Sequence, residues 1–114
     1  MKFITAETLK SDSIKIFISE SDLSDTPKGV IHIYHGLAEY FGRYTHTTKY
    51  LNSLGYHVAG IDHRGHGHWI ESGAVPGFFS EKDGWNLVVD DMETSFKKIQ
   101  TVYEDLPHII LAHS

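Results

Sequence analysis

Short apolar runs along the chain predict five β-strands. They cover residues 3–9, 14–18, 30–34, 57–61 and 108–112. The first two runs alternate in part between apolar and polar side chains, and the polar turn between them at residues 10–13 predicts an antiparallel hairpin. The other three are apolar on both sides, which is typical of strands that helices cover on both faces of a sheet.

Two segments between these runs have the periodicity of an amphipathic helix. The first is residues 45–54, where the positions expected to face inward recur at spacings of four and three residues. They are Tyr44, Thr48, Leu51 and Leu54. Gly55 follows as a candidate left-handed C-cap. A longer segment begins at Asp83, a candidate N-cap, and closes before Pro107. Its apolar positions recur for about five turns and predict one buried helix face. They are Trp85, Val88, Val89, Met92, Phe96, Ile99 and Tyr103.

The resulting order, β-β-β-α-β-α-β, is that of an α/β protein. Strands that alternate with helices of this length are joined by right-handed crossovers, so they form a mostly parallel sheet with flanking helices. No repeat, low-complexity segment or charge block marks a second domain, and residues 1–114 are expected to belong to one domain. Polar segments at residues 19–28 and 62–68 are predicted loops, the second at the carboxyl end of a strand.

Charge and composition exclude several functions. Fifteen acidic against ten basic side chains give a formal net charge of −5, which argues against a nucleic-acid-binding surface because such a surface concentrates Lys and Arg. The absence of cysteine excludes disulfides and thiol chemistry. No run approaches the roughly 18 apolar residues of a membrane span, and the first residues lack the apolar run of a secretory leader. A cytoplasmic protein is therefore expected.

The last predicted strand leads directly into Ala112, His113 and Ser114. In a nucleophile elbow, a serine lies on a sharp turn after a strand, which lifts its hydroxyl clear of the backbone and requires small flanking residues. Ala112 lies where the first glycine of that motif stands. Ser114 is therefore a candidate nucleophile, although an ordinary serine at a strand end is the commoner explanation of this feature alone.

A second candidate element, His35, Gly36 and Leu37, follows the first central strand. Acyl transfer through a tetrahedral intermediate needs backbone N–H donors aimed at the developing oxyanion, and one donor comes from this loop in hydrolases with a nucleophile elbow. Gly36 would let the backbone turn, and the N–H of Leu37 would be the donor. Considered alone, these residues are equally consistent with a plain turn between a strand and a helix.

Three segments together resemble the monoacylglycerol lipase and lysophospholipase branch of the serine α/β-hydrolases. They are residues 35–44, 62–67 and 112–114, which occur in the family's order. The resemblance implies the N-terminal half of an α/β-hydrolase domain, with Ser114 as nucleophile, the Leu37 N–H as half of the oxyanion hole, and no cofactor. The residues that would support the site in its loops are His35, Gly36, Asp62, Arg64, Gly65, His66, Gly67 and His113.

The order of catalytic residues in this fold restricts what can be assigned. The triad runs in chain order from serine to Asp or Glu and then to histidine, so both partners of Ser114 would follow it. Asp62 and the histidines beside it are instead expected to brace their loop. His113 precedes the serine on the strand, and its side chain is expected to point away from the serine hydroxyl.

The resemblance implies an enzyme that hydrolyses carboxylic esters through a serine acyl-enzyme, with monoacylglycerols or lysophospholipid-like esters as substrates. The general base would come from the C-terminal remainder of the hydrolase, in the same polypeptide or as a separate chain. Activity is therefore expected only with that remainder. The alternative is a non-catalytic α/β-hydrolase-like binding protein that keeps the scaffold without the triad.

A metal site is a less favoured alternative. His63, His66 and His68 lie close together in the sequence, and imidazole is a common zinc ligand. Arg64 between them is a poor neighbour for a cation, so no metal is expected.

The sequence departs from the family pattern at two places. His68 and Trp69 follow the glycine-rich loop where the family often has a serine, and Ala112 stands in place of the usual glycine.

Aromatic side chains are concentrated between the loop and the long helix. They are Trp69, Phe78, Phe79 and Trp85. They are expected to seat the long helix against the core. The alternative is that some of them line a channel for an acyl chain, since lipid substrates need apolar walls.

The family's strand order places residues 108–112 beside residues 30–34, with the other edge of the last strand open. An exposed apolar edge such as Ile109, Ile110 and Leu111 is an aggregation liability. The 114-residue chain alone is therefore expected to be insoluble or to unfold readily. The downstream segment that it needs is about 130 residues or more, judged from the usual size of α/β domains.

Overall fold

The computed structural model describes residues 1–8, 12–75 and 84–113. Its strands are β1 (Lys2–Glu7), β2 (Ser13–Ser19), β3 (Gly29–Tyr34), β4 (Tyr56–Ile61) and β5 (His108–Ala112). Its helices are α1 (Thr45–Ser53), which a 3₁₀ turn (Phe41–Tyr44) precedes, α2 (His68–Glu71) and α3 (Gly84–Val102). Several predictions fall outside the described residues. They concern Lys10 and Ser11 of the hairpin turn, Phe78, Phe79, the N-cap Asp83 and Ser114.

The five strands form one mixed sheet in the order β1-β2-β4-β3-β5. β3 runs parallel to both β4 and β5, and β2 is antiparallel to both β1 and β4. The five predicted strands, the opening hairpin and the position of the last strand beside the first central one are confirmed. The hairpin adds two antiparallel strands to a three-stranded parallel core.

Strand β3 lies at the centre of the core, and all six of its residues are buried. Val30 and Tyr34 pack on the face that Ile99 of α3 covers. Ile31 packs on the opposite face with Phe41. The double-sided apolar pattern of this strand is therefore explained by helical cover on both faces.

A close approach between Phe41 and β4 requires Gly60. A Cβ atom on Gly60 would lie 2.3 Å from the Phe41 ring and 2.9 Å from the carbonyl oxygen of Ile33. The absence of a side chain lets the aromatic ring lie flat on the sheet, where it also stacks on Phe17 with a centroid distance of 5.6 Å. This contact fixes the segment that leads into α1.

Helix α1 has the predicted extent, and Thr48 and Leu51 lie on its inner face as predicted. The predicted contact residue Leu54 is 36% exposed at the C-cap, whereas Asn52 is buried. The Asn52 side-chain amide donates hydrogen bonds of 3.0 Å to the carbonyl oxygens of Ser19 and Tyr56. An apolar period cannot reveal such a residue, because its burial depends on satisfying two strand carbonyls. The predicted C-cap is confirmed, since Gly55 has φ +99°.

Helix α3 also turns a partly polar face inward. Its buried residues are Val88, Asp91, Ser95 and Ile99. Trp85 is 68% exposed and Val89 is 38% exposed, so the prediction that both lie on the buried face is wrong. The helix is rotated away from them because Asp91 is drawn inward by the guanidinium group of Arg64.

Strand β5 is at the edge of the sheet formed by the described residues. Its side chains Ile109, Ile110 and Leu111 are 48%, 55% and 44% exposed. The predicted apolar edge is therefore present.

Candidate active site

The carboxyl ends of β3, β4 and β5 meet at one edge of the sheet. The loops that follow β3 and β4, together with the end of β5 and the first turns of α3, enclose a cavity of about 550 Å³. Its lining residues are Tyr34, His35, Gly36, Leu37, His63, His66, Trp85, Val88, Met92, Ala112 and His113. Ligands bind at this edge in open α/β sheets, so the cavity is the candidate site.

The backbone N–H of Leu37 in the loop after β3 is available to a ligand, whereas its two neighbours are engaged. The Gly36 N–H donates to Glu39 Oε1 at 2.7 Å, and the Ala38 N–H donates to His66 Nε2 at 3.2 Å. Between them, the N–H of Leu37 donates no hydrogen bond within the part of the chain that the structure describes. Leu37 is 75% exposed and lines the cavity.

The conformation of Ala38 is unusual and is held by this network. Its φ is +60°, the left-handed region that costs a residue with a Cβ atom roughly 1–2 kcal/mol. The hydrogen bond to His66 Nε2 compensates for part of that cost. The strained residue thus lies next to the available N–H, which is where such strain is often found in functional sites.

His35 and His63 tie the loops after β3 and β4 together. The His63 N–H donates to His35 Nε2 at 2.9 Å, so the proton of the neutral His35 ring is on Nδ1, which donates to the Gly36 carbonyl oxygen at 2.7 Å. His63 Nε2 donates in return to the His35 carbonyl oxygen at 3.0 Å. Burial lowers the pKa of His35, and burial together with the His35 ring lowers the pKa of His63 to about 4. Both rings are neutral at pH 7.

His66 and Gly65 complete the turn after β4. His66 Nδ1 donates to the Arg64 carbonyl oxygen at 2.9 Å, which leaves Nε2 as the acceptor for Ala38. Gly65 has φ +74°, a conformation that glycine adopts without a steric penalty. The turn therefore presents His66 to the loop that carries Leu37.

Asp62 caps the short helix α2 and anchors the start of the 3₁₀ turn. Its Oδ1 accepts the Phe41 N–H at 2.8 Å, and its Oδ2 accepts both the backbone N–H and Nδ1 of His68 at 3.0 Å. Burial opposes ionisation of Asp62, but these hydrogen bonds outweigh it and lower the pKa of the carboxyl group. A Cβ atom on Gly67 would lie 2.2 Å from Asp62 Oδ2, so the carboxylate occupies the space a side chain would need.

Arg64 is buried between the opening hairpin and α3. Its Nε and Nη2 bind the Asp91 carboxylate at 2.8 and 3.1 Å, and its Nη1 and Nη2 bind Asp12 at 2.8 and 3.0 Å. The guanidinium also lies 5.0 Å from the Trp69 ring centroid. The Arg64 hydrogen bonds lower the pKa of Asp12, whereas burial raises the pKa of Asp91. Arg64 acts as a structural anchor behind the site.

One hydrogen bond joins His113 to β3, and another joins it to the loop after β3. Its backbone N–H donates to the Tyr34 carbonyl oxygen at 3.0 Å and continues the ladder between β3 and β5. Its Nδ1 donates to Glu39 Oε1 at 3.0 Å. Hydrogen bonds from His113, Gly36 and Tyr44 lower the pKa of Glu39 to about 2, so its carboxyl group is ionised.

The histidines considered for a metal site bind different partners. His63 donates to a carbonyl oxygen of the loop after β3, His66 donates to that of Arg64, and His68 pairs with the Asp62 carboxylate. Among the described residues no group of three His, Asp or Glu side chains is placed to hold a metal ion. The loop predicted for residues 62–68 ends one residue earlier than expected. Helix α2 begins at His68, and the His68 N–H donates to the Asp62 carboxylate.

The two tryptophans have different positions. Trp69 packs against the core and donates its Nε1–H to the Asp62 carbonyl oxygen at 2.9 Å. Trp85 does not seat α3 against the core as expected, because its ring is mostly exposed and lines the cavity. The alternative interpretation of this residue, as part of an apolar wall, agrees with its position.

Sequence reasoning missed Glu39, Tyr44, Asp12 and Asp91 as residues of this network. Glu39 and Tyr44 lie within the motif of residues 35–44, but the pattern gave no reason to pair either with His113. Asp91 carries a weak signal, since it is an acidic residue at a position three from Val88 on the apolar helix face. A buried acid on such a face indicates a cationic partner.

The fold and the arrangement of the site define an α/β-hydrolase, and comparison with known proteins agrees. The family described as "Serine aminopeptidase, S33" matches residues 25–114, and the chain belongs to it. The chain is 34% identical over 88 residues to a monoacylglycerol lipase of Mycolicibacterium smegmatis, covering 77% of this chain and 29% of that protein. It is 32% identical over 98 residues to a monoglyceride lipase of Mus musculus, covering 80% and 28%.

A solved structure agrees over nearly the whole chain. A thermostable carboxyl esterase from Bacillus coagulans superimposes with a TM-score of 0.84 and 29% identity, over 98% of this chain and 36% of that one. The chain thus spans less than a third of the two lipases it matches. The resemblance to the monoacylglycerol lipase branch is confirmed. Within the described part of the chain, no helix has the length and apolar character needed to cross a membrane.

Proposed function

We propose that this segment supplies the nucleophile and half of the oxyanion hole of a carboxylic ester hydrolase that acts through a serine acyl-enzyme. The observation that carries the proposal is the Leu37 N–H. It is left without an acceptor between two engaged N–H groups, at the edge of the sheet where β5 leads toward Ser114. Membership of the S33 family and the similarity to lipases and an esterase support the same reaction class.

The reaction follows from the roles of these groups. Ser114 Oγ attacks the ester carbonyl carbon, and a histidine from the C-terminal remainder takes the hydroxyl proton. The carbonyl oxygen becomes an oxyanion that accepts the Leu37 N–H. Collapse breaks the bond to the alcohol, which leaves with the proton from the histidine. Water then attacks the acyl-enzyme with the same histidine as base, releases the carboxylic acid and restores Ser114.

The rest of the hydrolase is proposed to pair with β5. Ile109 and Leu111 are close to half exposed on this edge strand, and a hollow of about 570 Å³ runs beside it along α3. Val89, Phe96 and Ile110 are among the residues that line the hollow. A further strand and helix would bury this apolar surface and supply the acidic residue and histidine of the triad.

The proposed substrates are monoacylglycerols or lysophospholipid-like esters. Apolar side chains form much of the cavity wall, which suits an acyl chain. They are Tyr34, Leu37, Trp85, Val88, Met92 and Ala112. Relatives from Mycolicibacterium smegmatis, Mus musculus and Homo sapiens are named as lipases of monoglycerides, whereas one from Bacillus subtilis is named as a phospholipase. The first group favours a glycerol ester as the preferred substrate.

Hydrolysis by the complete protein tests this proposal. The substrates are a long-chain monoacylglycerol, a lysophosphatidylcholine and a short-chain nitrophenyl ester, compared for the wild type and for Ser114→Ala. We expect fatty-acid release from the monoacylglycerol to exceed that from the lysophospholipid and to be lost in Ser114→Ala. Ser53→Ala, which removes an exposed hydroxyl from α1, is the matched control and should retain activity. Binding of the lipid without Ser114-dependent turnover would favour the non-catalytic alternative.

A further inference from the structure

One carboxylate oxygen joins three parts of the candidate site. Glu39 Oε1 accepts the Gly36 N–H at 2.7 Å, the Tyr44 hydroxyl at 2.8 Å and His113 Nδ1 at 3.0 Å. These donors belong to the loop after β3, to the 3₁₀ turn and to the end of β5. An ionised carboxylate only accepts hydrogen bonds, so it can satisfy all three donors at once.

Two of these three donors, on Gly36 and His113, each lie one residue from a group that takes part in the proposed reaction. The Gly36 N–H is adjacent to the Leu37 N–H, and His113 immediately precedes Ser114. His113 is also held through its backbone, because its N–H donates to the Tyr34 carbonyl oxygen. Glu39 therefore lies between the oxyanion donor and the strand that carries the nucleophile.

The loop around Glu39 is built to keep it in place. The Glu39 N–H donates to the Gly36 carbonyl oxygen at 3.3 Å, which closes a tight turn. Leu37 lies inside this turn. The two ends of the turn, Gly36 and Glu39, are bonded to each other through both backbone and side chain. Tyr44 holds the carboxylate from the opposite side.

We propose that Glu39 is a positioning residue that fixes the distance between the Leu37 N–H and the nucleophile strand through its hydrogen bonds to Gly36 and His113. The inference rests on the proposed function and extends it to a residue outside the triad. Its importance follows from geometry, because a misplacement of about 1 Å between reacting groups can cost on the order of 100-fold in rate. The pair is partly exposed to solvent, with His113 64% and Glu39 22% exposed, so its contribution to folding is small.

The test uses the complete hydrolase and the variants Glu39→Met, His113→Ala and the double variant. Glu39→Met keeps the approximate length of the side chain but removes the oxygen that accepts all three hydrogen bonds. We expect kcat to fall roughly 10- to 100-fold with little change in KM, since the loss affects positioning and not substrate binding. His113→Ala should give a similar loss, and the double variant should lose no more than the larger single loss.

Two further variants separate positioning from folding. His113→Asn places an amide N–H near the position of Nδ1, so it should recover most of the kcat lost in His113→Ala. Glu104→Met makes the same chemical change at an exposed carboxylate beyond the end of α3, and it should leave kcat unchanged. Melting temperatures of all variants are measured in parallel and should differ little from the wild type.

The outcomes distinguish this inference from the proposed function. If the wild type turns over ester but Glu39→Met keeps its kcat within about twofold, or the two single losses multiply in the double variant, Glu39 is not a positioning residue. If kcat falls only in proportion to a lowered melting temperature, its role is in folding and the inference is overturned. If the wild type shows no Ser114-dependent turnover, the proposed function fails and this inference fails with it.

Discussion

Arg64 and Asp91 form a two-point ion pair in the interior, with Nε to Oδ2 at 2.8 Å and Nη2 to Oδ1 at 3.1 Å. Asp91 is 1% exposed, and Arg64 is 5% exposed. The pair joins the loop after β4 to the inner face of α3. The same helix carries Trp85 and Met92, which line the cavity.

Breaking this pair on one side should destabilise the protein strongly. Removing one partner of a buried ion pair typically costs about 3–5 kcal/mol, because the other charge stays buried without compensation. We expect Arg64→Met in the complete protein to lower the free energy of unfolding by about that amount, measured by urea denaturation. Arg43→Met, at an exposed arginine, is the control and should change the free energy by less than about 0.5 kcal/mol. A loss below about 1 kcal/mol for Arg64→Met would show that the pair does not hold α3 in place.

Replacing Gly67 by any residue with a side chain should destabilise the protein, because the Asp62 carboxylate occupies the space beside it. Gly67 has φ +53°, and a Cβ atom there would meet the Asp62 carboxylate at 2.2 Å. Gly73 also has positive φ, +98°, but a Cβ atom there meets no atom within 4 Å. We expect Gly73→Ala to cost about 1–2 kcal/mol from backbone strain alone. Gly67→Ala should cost at least about 1 kcal/mol more, because the clash also disturbs the hydrogen bonds of Asp62. Equal losses of stability in the two variants would show that the space beside Gly67 is not crowded.

Acid should destabilise the fold through its buried histidines. Burial and the neighbouring His108 ring lower the pKa of His32 to about 4, and the pKa of His63 is likewise lowered to about 4. In the unfolded chain both titrate near pH 6.5, so between pH 6.5 and pH 4 the unfolded state binds more protons than the folded state. Above pH 6.5 both histidines are neutral in the folded and in the unfolded state, and their burial costs no stability through protonation. As the pH falls from 6.5 toward 4, protonation of the unfolded state lowers the free energy of unfolding. Each group contributes roughly 1.4 kcal/mol per pH unit within this window.

Denaturation of the complete protein, measured from pH 7 to pH 4, checks this slope. The pKa of His35 and of His57 is also lowered by burial, which adds to the effect in the same direction. His32→Gln should reduce the slope by about one proton, because the residue that must stay neutral beside His108 and Phe96 is gone. A stability that stays flat between pH 6.5 and pH 4.5 would contradict the buried neutral state of these rings.

The edge strand should make the 114-residue chain associate when it is produced alone. Ile110 is 55% exposed on β5, and an open apolar edge pairs readily with other chains. We expect light scattering to show aggregates, and Ile110→Lys to reduce them. Leu23→Lys changes an exposed apolar residue outside the strands and should have less effect. A monomeric chain with a cooperative thermal transition would contradict the expected dependence on a downstream segment.

The strands could be predicted from the sequence, but the polar anchors of the site could not. Runs such as residues 30–34 are apolar on both sides because both faces of β3 are covered, and that local pattern is sufficient to identify the strand. The inward positions of Asn52 and Asp91 depend instead on partners 33 and 27 residues away, Ser19 and Arg64. No local period contains that information. The exposure of Trp85 follows from the same long-range pairing, since Asp91 determines which face of α3 is buried.

The candidate site was predictable to a similar degree. The motif around Gly36 and Leu37 indicated a backbone donor, because its position after a strand is local information. The hydrogen bonds that occupy the N–H groups on either side of Leu37 depend on Glu39 and His66. Of these, His66 was expected to support its loop, whereas its bond to Ala38 required the fold. The role of Ser114 stays a prediction from the motif.

Labelling with a fluorophosphonate tests the central claim most directly. The complete native protein is treated with the reagent, which reacts with activated serines, and its intact mass and the modified peptide are determined. We predict a single adduct on Ser114 that is absent from Ser114→Ala and present in the control Ser53→Ala. Folded, complete protein that forms no adduct, or forms one on another serine, would contradict the assignment of Ser114 as the nucleophile of an ester hydrolase.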